Sequence, residues 1–331
     1  MDATAAQVKT RALELGFDLC GVARARPLDP GRLDRWLSRG WDAGLAYVRE
    51  RREERLDPSR LVPGARSVIV VAASYAPAPG DPQPAPGELT IARYARGRDY
   101  HNVVLKPVRK LAAWLRERGA TVYAEVDAGA VMEKAWAQEA GIGWIGKNGC
   151  LIHERLGSWL LLGALITDAA LEPDAPHPDR CGDCELCIPA CPTEAIREPR
   201  YVDSARCIAY HTIEHREAIP DEVARRAGGR LFGCDACQDV CPWNRRAPAG
   251  TLVQLRARTP SLPLREVLAL TSEEARRRFE GSPLLRAGRD GLVRTALAVA
   301  DVARYDAEKL AADVAPGVRA QAQRRLSATG R

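Results

Sequence analysis

Apolar residues recur along this chain at two spacings, and their alternation predicts a mixed α/β fold. Residues Ala5 to Leu15 repeat at helical spacing and predict an amphipathic helix. Leu19 to Ala23 predict a short strand, and Gly31 to Arg55 predict two helices parted near Gly40. The run Ser67 to Tyr75, SVIVVAASY, is rich in β-branched residues and lies between PGAR and PAPG, so it predicts a buried strand. A Pro/Gly-rich loop follows over Ala76 to Glu88. Asp99 to Arg118 predict a long helix stopped at Gly119, and Thr121 to Val126 a strand that delivers Asp127 at its C-terminal end. Ala130 to Ala140 predict a helix and GIGWIGKNG a glycine-rich loop. Cys150 to His153 and Ser158 to Thr167 predict two strands suited to a hairpin.

The pattern changes at the proline-rich stretch Pro173 to Pro178. A cysteine-rich module runs from about Asp179 to Asn244, and Leu262 to Ala300 read as helical and arginine-rich. Three regions follow: an α/β domain over 1–175, a cysteine module over 176–248 and a helical C-terminal region over 249–331. A length of 331 residues is enough for such a division, and 46% hydrophobic with 28% charged residues is ordinary for a folded chain. No apolar stretch approaches the roughly 18 residues of a membrane span. The N-terminus lacks the basic head, apolar middle and twin arginines of an export signal, so a cytoplasmic location is expected. The net charge of +6 fits either a solvated arginine-rich surface or a polyanionic partner.

Ten cysteines in such a chain argue against disulfides, because the cytoplasm keeps thiols reduced. Eight fall between Cys181 and Cys241, which points to metal ligation. The first motif, CGDCELCIPACP, has the C-x2-C-x2-C-x3-C-P spacing of bacterial two-cluster ferredoxins, in which the fourth cysteine serves the other cluster. The second, CDACQDVCP, lacks only the leading cysteine, which Cys207 can supply. Crossing then assigns Cys181, Cys184, Cys187 and Cys241 to one 4Fe–4S cluster and Cys191, Cys207, Cys234 and Cys237 to the other. Zinc sites pair C-x2-C units and need neither the third cysteine nor the terminal proline. Cys20 reads as a small core residue, and Cys150 as the start of a strand.

With the clusters placed, four further segments gain meaning. RYARGRDYH (Arg93 to His101), VDAGAVMEKAWAQEAGIGWIGKN (Val126 to Asn148), CIAYHTIEHREAIP (Cys207 to Pro220) and FGCDACQDVCPWNR (Phe232 to Arg245) together resemble the epoxyqueuosine reductase family, from about Leu13 to Ala300. The resemblance implies a nitroreductase-like α/β domain that binds cobalamin beside a ferredoxin-like module with two 4Fe–4S clusters. It implies a reaction on tRNA with a GUN anticodon: clusters fed by an external one-electron reductant pass electrons to cobalt, which opens the epoxide of the modified wobble base to give queuosine. Many members carry a longer C-terminal helical-repeat region, so a short, monomeric form ending at Arg331 is expected.

By the same resemblance, Asp127 matches the catalytic aspartate, a proton donor expected to be buried with a raised pKa. On its residues alone, Asp127 reads as an N-cap of the helix expected from Ala130, and the resemblance turns that reading to catalysis. The family pattern has Ser or Thr after this aspartate and Pro two residues later, where this chain has Ala128 and Ala130; Glu133 and Lys134 keep the charged pair that follows. Candidate cobalamin contacts on matched segments are Arg55, Tyr94, Asp127, Leu151, Ser158, Leu162, Ala209, Cys234 and Asp235. The D-x-H-x-x-G motif of base-off cobalamin enzymes is absent: Asp99–Tyr100–His101 lacks its glycine. His211, His215 and especially Arg216 are candidates to meet the tRNA anticodon arm, with Arg276 to Arg278, Arg286, Arg289 and Arg294 as phosphate contacts. Trp243 is expected to pack over a cluster. Two other readings remain: a cobalamin-dependent reductive dehalogenase, and a non-catalytic electron-transfer or tRNA-binding iron–sulfur protein.

Overall fold

The computed structural model describes residues 3–329. Helix α1 (Ala5–Glu14) opens with a capping box, in which Thr4 Oγ1 accepts from the Gln7 amide and Gln7 Oε1 from the Thr4 amide. Strand β1 (Leu19–Arg24) follows, then α2 (Gly31–Ser38), α3 (Ala46–Glu50), α4 (Arg52–Leu56) and β2 (Ser67–Ser74). The expected break near Gly40 is made by left-handed turns at Gly40, Ala43 and Gly44, and a second break at Arg51, which leaves the helical region at φ −109° and ψ 26°, makes three helices where two are expected. After β3 (Leu89–Ile91) come α5 (Tyr100–Arg116), β4 (Val122–Glu125), α6 (Glu133–Glu139), β5 (Trp144–Ile145), β6 (Leu151–Ile152) and β7 (Leu160–Thr167).

Strands β1, β2, β7 and β4 form one antiparallel sheet in that spatial order. Every residue of β2 is buried because both faces are covered. Ile69, Val71 and Ala73 meet α1 and α5 through Val8, Val104, Val108 and Leu111. Val68, Val70 and Ala72 meet α6 through Trp136 and Ala137. The uninterrupted apolar run of β2 is the sequence signature of this three-layer packing.

The expected hairpin is not formed. Strand β6 pairs with β5, inside the segment read as a glycine-rich loop, and β7 lies between β2 and β4. An isolated bridge from His153 to Gly157 joins the two segments. All eight residues of β7 pair with β2, so long-range pairing outweighs the local hairpin.

The cysteine module carries β8 (Ile196–Glu198), β9 (Tyr201–Val202), α7 (Ile208–Ile213), α8 (Asp221–Arg226), β10 (Arg230–Phe232) and α9 (Ala236–Asp239). The C-terminal part holds β11 (Ser261–Leu262), α10 (Leu264–Leu268), α11 (Ser272–Arg278), α12 (Gly288–Val299), α13 (Arg304–Leu310) and α14 (Pro316–Thr329). Strand β3 pairs with both β10 and β11, and Leu89 and Ile91 share a core with Leu231, Phe232, Leu292 and Leu297. The three regions are thus stitched together by a strand from the first. Among the described residues, no helix is long and apolar enough to cross a membrane.

Candidate active site

Because β7 runs against β2 and β4, its first residues lie beside their C-terminal ends. A cleft of about 220 Å³ opens there. Tyr75 lines it beyond β2, Asp127 beyond β4, Leu160, Leu161 and Leu162 from β7, Tyr100 from the start of α5, and Glu133 and Lys134 from α6. Cys150, Leu151, Ser158 and, from the cysteine module, Gln238 complete the lining. Tyr94, Asp127, Leu151, Ser158 and Leu162 of the expected cobalamin contacts therefore share one cleft, while Arg55, Ala209, Cys234 and Asp235 lie outside its lining.

The loop carrying Asp127 is tightly built. Asp127 has φ +61°, in the left-handed region that Asp tolerates better than most residues. Its amide donates to Glu133 Oε1 at 2.8 Å. Beneath it, the buried Glu125 accepts from Tyr123 Oη at 2.6 Å and from the Val131 amide at 3.0 Å. A Cβ on Gly129 would fall 1.1 Å from Glu125 Oε2, so glycine is required there. Glu125 thus holds the turn that carries Ala128, Gly129 and Ala130.

Asp127 differs from the expected buried acid. Its side chain is 60% exposed, at the cleft rim. Hydrogen bonding from His101 holds its carboxyl below the usual range, and Tyr100 adds to the effect. Tyr100 Oη donates to Oδ2, and His101 Nε2 lies 3.4 Å from the same oxygen. Tyr100 is itself pushed up, by burial and then by Asp127, and stays a neutral donor. Asp99 caps α5, accepting from the His101 amide at 3.0 Å, and its Oδ1 also meets His101 Nδ1 at 2.8 Å. Held by Asp127 and Asp99, His101 is raised to about 9. The cleft's raised carboxyl is Glu133, pushed to about 7 by burial and then by Asp127. Sequence reasoning missed Tyr100 and His101 as site groups, although a quoted segment contains them, and missed Glu125, which lies just before the segment that starts at Val126. The signal was the D-x-H spacing at a helix start, which returns His101 to its own capping aspartate.

The thiols act on one another electrostatically in two sets. Burial raises Cys187 to about 11, with Cys181, Cys241 and Cys184 adding to it. Burial likewise raises Cys207 to about 11, with Cys234 and Cys191 adding to it, and Cys237 feels Cys234 and Cys207. Cys241 acts on Cys187 and Cys191 acts on Cys207, each across motifs. Donors suited to thiolates are in place: Trp144 Nε1 reaches Cys181 Sγ at 3.3 Å and the Ala195 amide reaches Cys191 Sγ at 3.2 Å. Such a set fits two cubanes. Trp243 packs edge-on to Trp144 at 5.0 Å beside Cys181 and Cys241.

The second group adjoins the cleft, since Cys150 lines it and its thiol meets that of Cys237. The module is docked by Ser158, whose Oγ lies 2.9 Å from both Gln238 Oε1 and Asn244 Nδ2. A Cβ on Gly157 would fall 2.1 Å from Asn244 Oδ1, which explains both that glycine and the asparagine of PWNR. Asp235 Oδ2 accepts the Arg93 amide at 2.8 Å and so fixes the turn bearing Tyr94. Ala209 lies in the first turn of α7, where its amide faces Cys207. Arg55 Nε is buried with no hydrogen-bond partner, and its guanidinium sits 5.8 Å over the Tyr47 ring. Leucines, hydroxyl and amide groups and an unsatisfied arginine suit an amide-fringed macrocycle such as cobalamin.

Several expected nucleic-acid contacts are committed elsewhere. His211 is buried, bonds the Ala205 carbonyl at 2.7 Å and is driven down to about 4 by burial. Arg294 is buried and donates to the carbonyls of His211, His215 and Glu217. Arg289 pairs with Asp313, Arg286 with Glu214 and Arg278 with Glu266. Arg216 lines a surface cleft and donates to the carbonyls of Ile213 and Arg286.

Comparison with known proteins agrees with this arrangement. The family model "Epoxyqueuosine reductase QueG" matches residues 55–128, and "4Fe-4S double cluster binding domain" matches residues 180–244. The chain is 45% identical to the epoxyqueuosine reductase of Gloeobacter violaceus over 308 residues, covering 89% of this chain and 95% of that one. It is 39% identical to that of Leadbetterella byssophila, covering 89% and 98%. A crystal structure of epoxyqueuosine reductase with an epoxyqueuosine-modified tRNA-Tyr stem loop superposes with a TM-score of 0.90 at 28% identity, covering 98% of this chain and 90% of that chain. The Bacillus subtilis enzyme superposes at 0.86 with 27% identity, covering 97% and 88%. On this evidence of sequence and fold, the chain belongs to the epoxyqueuosine reductase family, oxidoreductases that use two 4Fe–4S clusters and cobalamin.

Proposed function

We propose that this protein reduces epoxyqueuosine to queuosine at the wobble position of tRNA with a GUN anticodon, in the cytoplasm, as a monomer served by an external one-electron reductant. The carrying observation is a single cleft lined by both Asp127 and Cys150, the latter in contact with Cys237. When bound, cobalamin supplies a nucleophilic metal centre and the clusters supply single electrons. Leu151, Ser158 and Leu162 provide its bed, with Tyr94, Arg55, Ala209, Cys234 and Asp235 around it. The two crossed sets of four cysteines hold the clusters.

Asp127 is the proton donor to the epoxide oxygen. Its rim position suits a base that enters from solvent, as a splayed nucleotide does. In the Bacillus subtilis structure the catalytic aspartate loop is swung out of the active site, whereas in this chain Asp127 lines the cleft. Arg216, in its surface cleft, is the proposed tRNA contact, with exposed Arg276 and Arg277 nearby in sequence to α11's end.

The test is direct. Protein loaded with clusters and cobalamin is incubated with a strong reductant and epoxyqueuosine-containing tRNA, and the digested nucleosides are analysed. Queuosine is expected; its absence with fully loaded cofactors overturns the proposal.

A further inference from the structure

Conversion of an epoxide to an alkene and water takes two electrons and two protons. The C–O bonds break, and the oxygen leaves as water. The electrons come from the reduced clusters. The protons come ultimately from water, and the carboxyl of Asp127, which lines the cleft, is held low by hydrogen bonds from His101 and Tyr100. A neighbouring donor in line with Asp127 would recharge it for each delivery.

The geometry offers one continuous line. Asp99 Oδ1 meets His101 Nδ1 at 2.8 Å, and His101 Nε2 faces Asp127 Oδ2 at 3.4 Å. Both ring nitrogens point at carboxylates, an arrangement that favours the doubly protonated imidazolium. The ring is held in plane by stacking on Tyr100, with centroids 4.1 Å apart. Its side chain is 30% exposed, so solvent can restore a lost proton.

We propose that the Asp99–His101 pair is the proton store of this site: His101 holds at Nε2 the proton that Asp127 passes to the epoxide oxygen, and Asp99 holds the ring through Nδ1. This rests on the epoxide-reducing function proposed above. His101 and Asp99 are positioning residues, acting through Asp127. In the transfer, the Nε2–H bond breaks as Asp127 Oδ2–H forms. That O–H bond then breaks as the substrate O–H forms, leaving neutral His101 to be reprotonated by water, and a second pass of the same relay supplies the second proton with which the oxygen leaves as water.

The charged and titratable groups around the line are few. Asp99 and Tyr100 face His101 from its own helix start, and Asp127 faces it from the loop after β4. Glu133 and Lys134 on α6 act on Asp127, and Arg286, Tyr94 and Tyr47 lie within its field. The pair of carboxylates dominates, which is why His101 titrates high, near 9.

The experiment compares wild type, Asp99→Asn, His101→Gln and Glu133→Gln, each loaded with clusters and cobalamin. Single-turnover rates on epoxyqueuosine stem loop are measured against pH, alongside NMR titration of the His101 ring. The wild-type rate is expected to fall on the alkaline side near pH 9, with the ring titrating at the same point. Asp99→Asn should move both to lower pH with KM unchanged. His101→Gln should lower kcat by about tenfold or more and abolish that limb. A ring titrating near its ordinary 6.5 overturns the proposal, even if no substrate is turned over. An alkaline limb unmoved in Asp99→Asn and His101→Gln overturns it as well, and a limb moved by Glu133→Gln instead gives the store to Glu133. Failure of wild-type turnover with a ring titrating near 9 counts against the epoxide reading alone.

Discussion

Asp127 combines a backbone demand with a chemical one, and the two can be separated by substitution. Its φ of +61° is tolerated by Asn almost as well as by Asp. Asp127→Asn should therefore keep the loop, both clusters and cobalamin, but lower kcat by about 10²- to 10⁴-fold through loss of the acid. Near-normal turnover would reduce Asp127 to a loop-shaping residue. Gly129 carries the opposite lesson, a purely structural requirement two residues away. In Gly129→Ala the new Cβ would overlap Glu125 Oε2 and evict that carboxylate from Tyr123 and Val131. The expected loss is about 1–3 kcal/mol, the cost of buried polar groups left unpaired. Denaturant unfolding of the loaded protein measures it, and an unchanged midpoint would mean the loop yields elsewhere.

At the scale of elements, the short β5–β6 ribbon is where the cleft and the clusters meet. Its Trp144 is fully buried and donates Nε1–H to Cys181 Sγ. Hydrogen bonds to cluster sulfurs favour the reduced, more negative state. Trp144→Phe should therefore lower the potential of the cluster that includes Cys181, read by an EPR-monitored redox titration; an unmoved potential would leave Trp144 a packing residue only. This ribbon also marks how far the sequence could be read. Strand β2 and helix α5 were legible because their signals are local: an unbroken apolar run and a capped helical repeat. The partners of β6 and β7 were not, because pairing is decided by segments about a hundred residues apart in the case of β2 and β7. The cysteine motifs pointed to two 4Fe–4S clusters from spacing alone. The electrostatics of Asp127 were not legible, because Tyr100, His101 and Glu133 reach it only once α5 and α6 are packed against the sheet.

For the whole molecule, these site groups tie stability to pH in a direction that can be worked out. His101 is raised from 6.5 to about 9, so its contribution to folding is fully present below pH 6.5 and is lost as pH rises through 9. Glu133 acts in the same sense lower down, its contribution fading as pH rises from 4.5 through about 7. Buried His211 opposes it there. Driven down to about 4, it stabilises above pH 6.5 and loses that contribution as pH falls through 4. Glu133 and His211 thus offset one another on the acid side, while His101 acts with no such opponent among these three above pH 7. The unfolding free energy of the loaded protein should fall between pH 7 and 9, with a slope of at most about 1.4 kcal/mol per pH unit, since one proton is involved. In His101→Gln the fall should flatten while the acid side keeps its shape. A slope retained in that variant would mean that another group titrates, and that the carboxylates of Asp99 and Asp127 do not hold the imidazolium together.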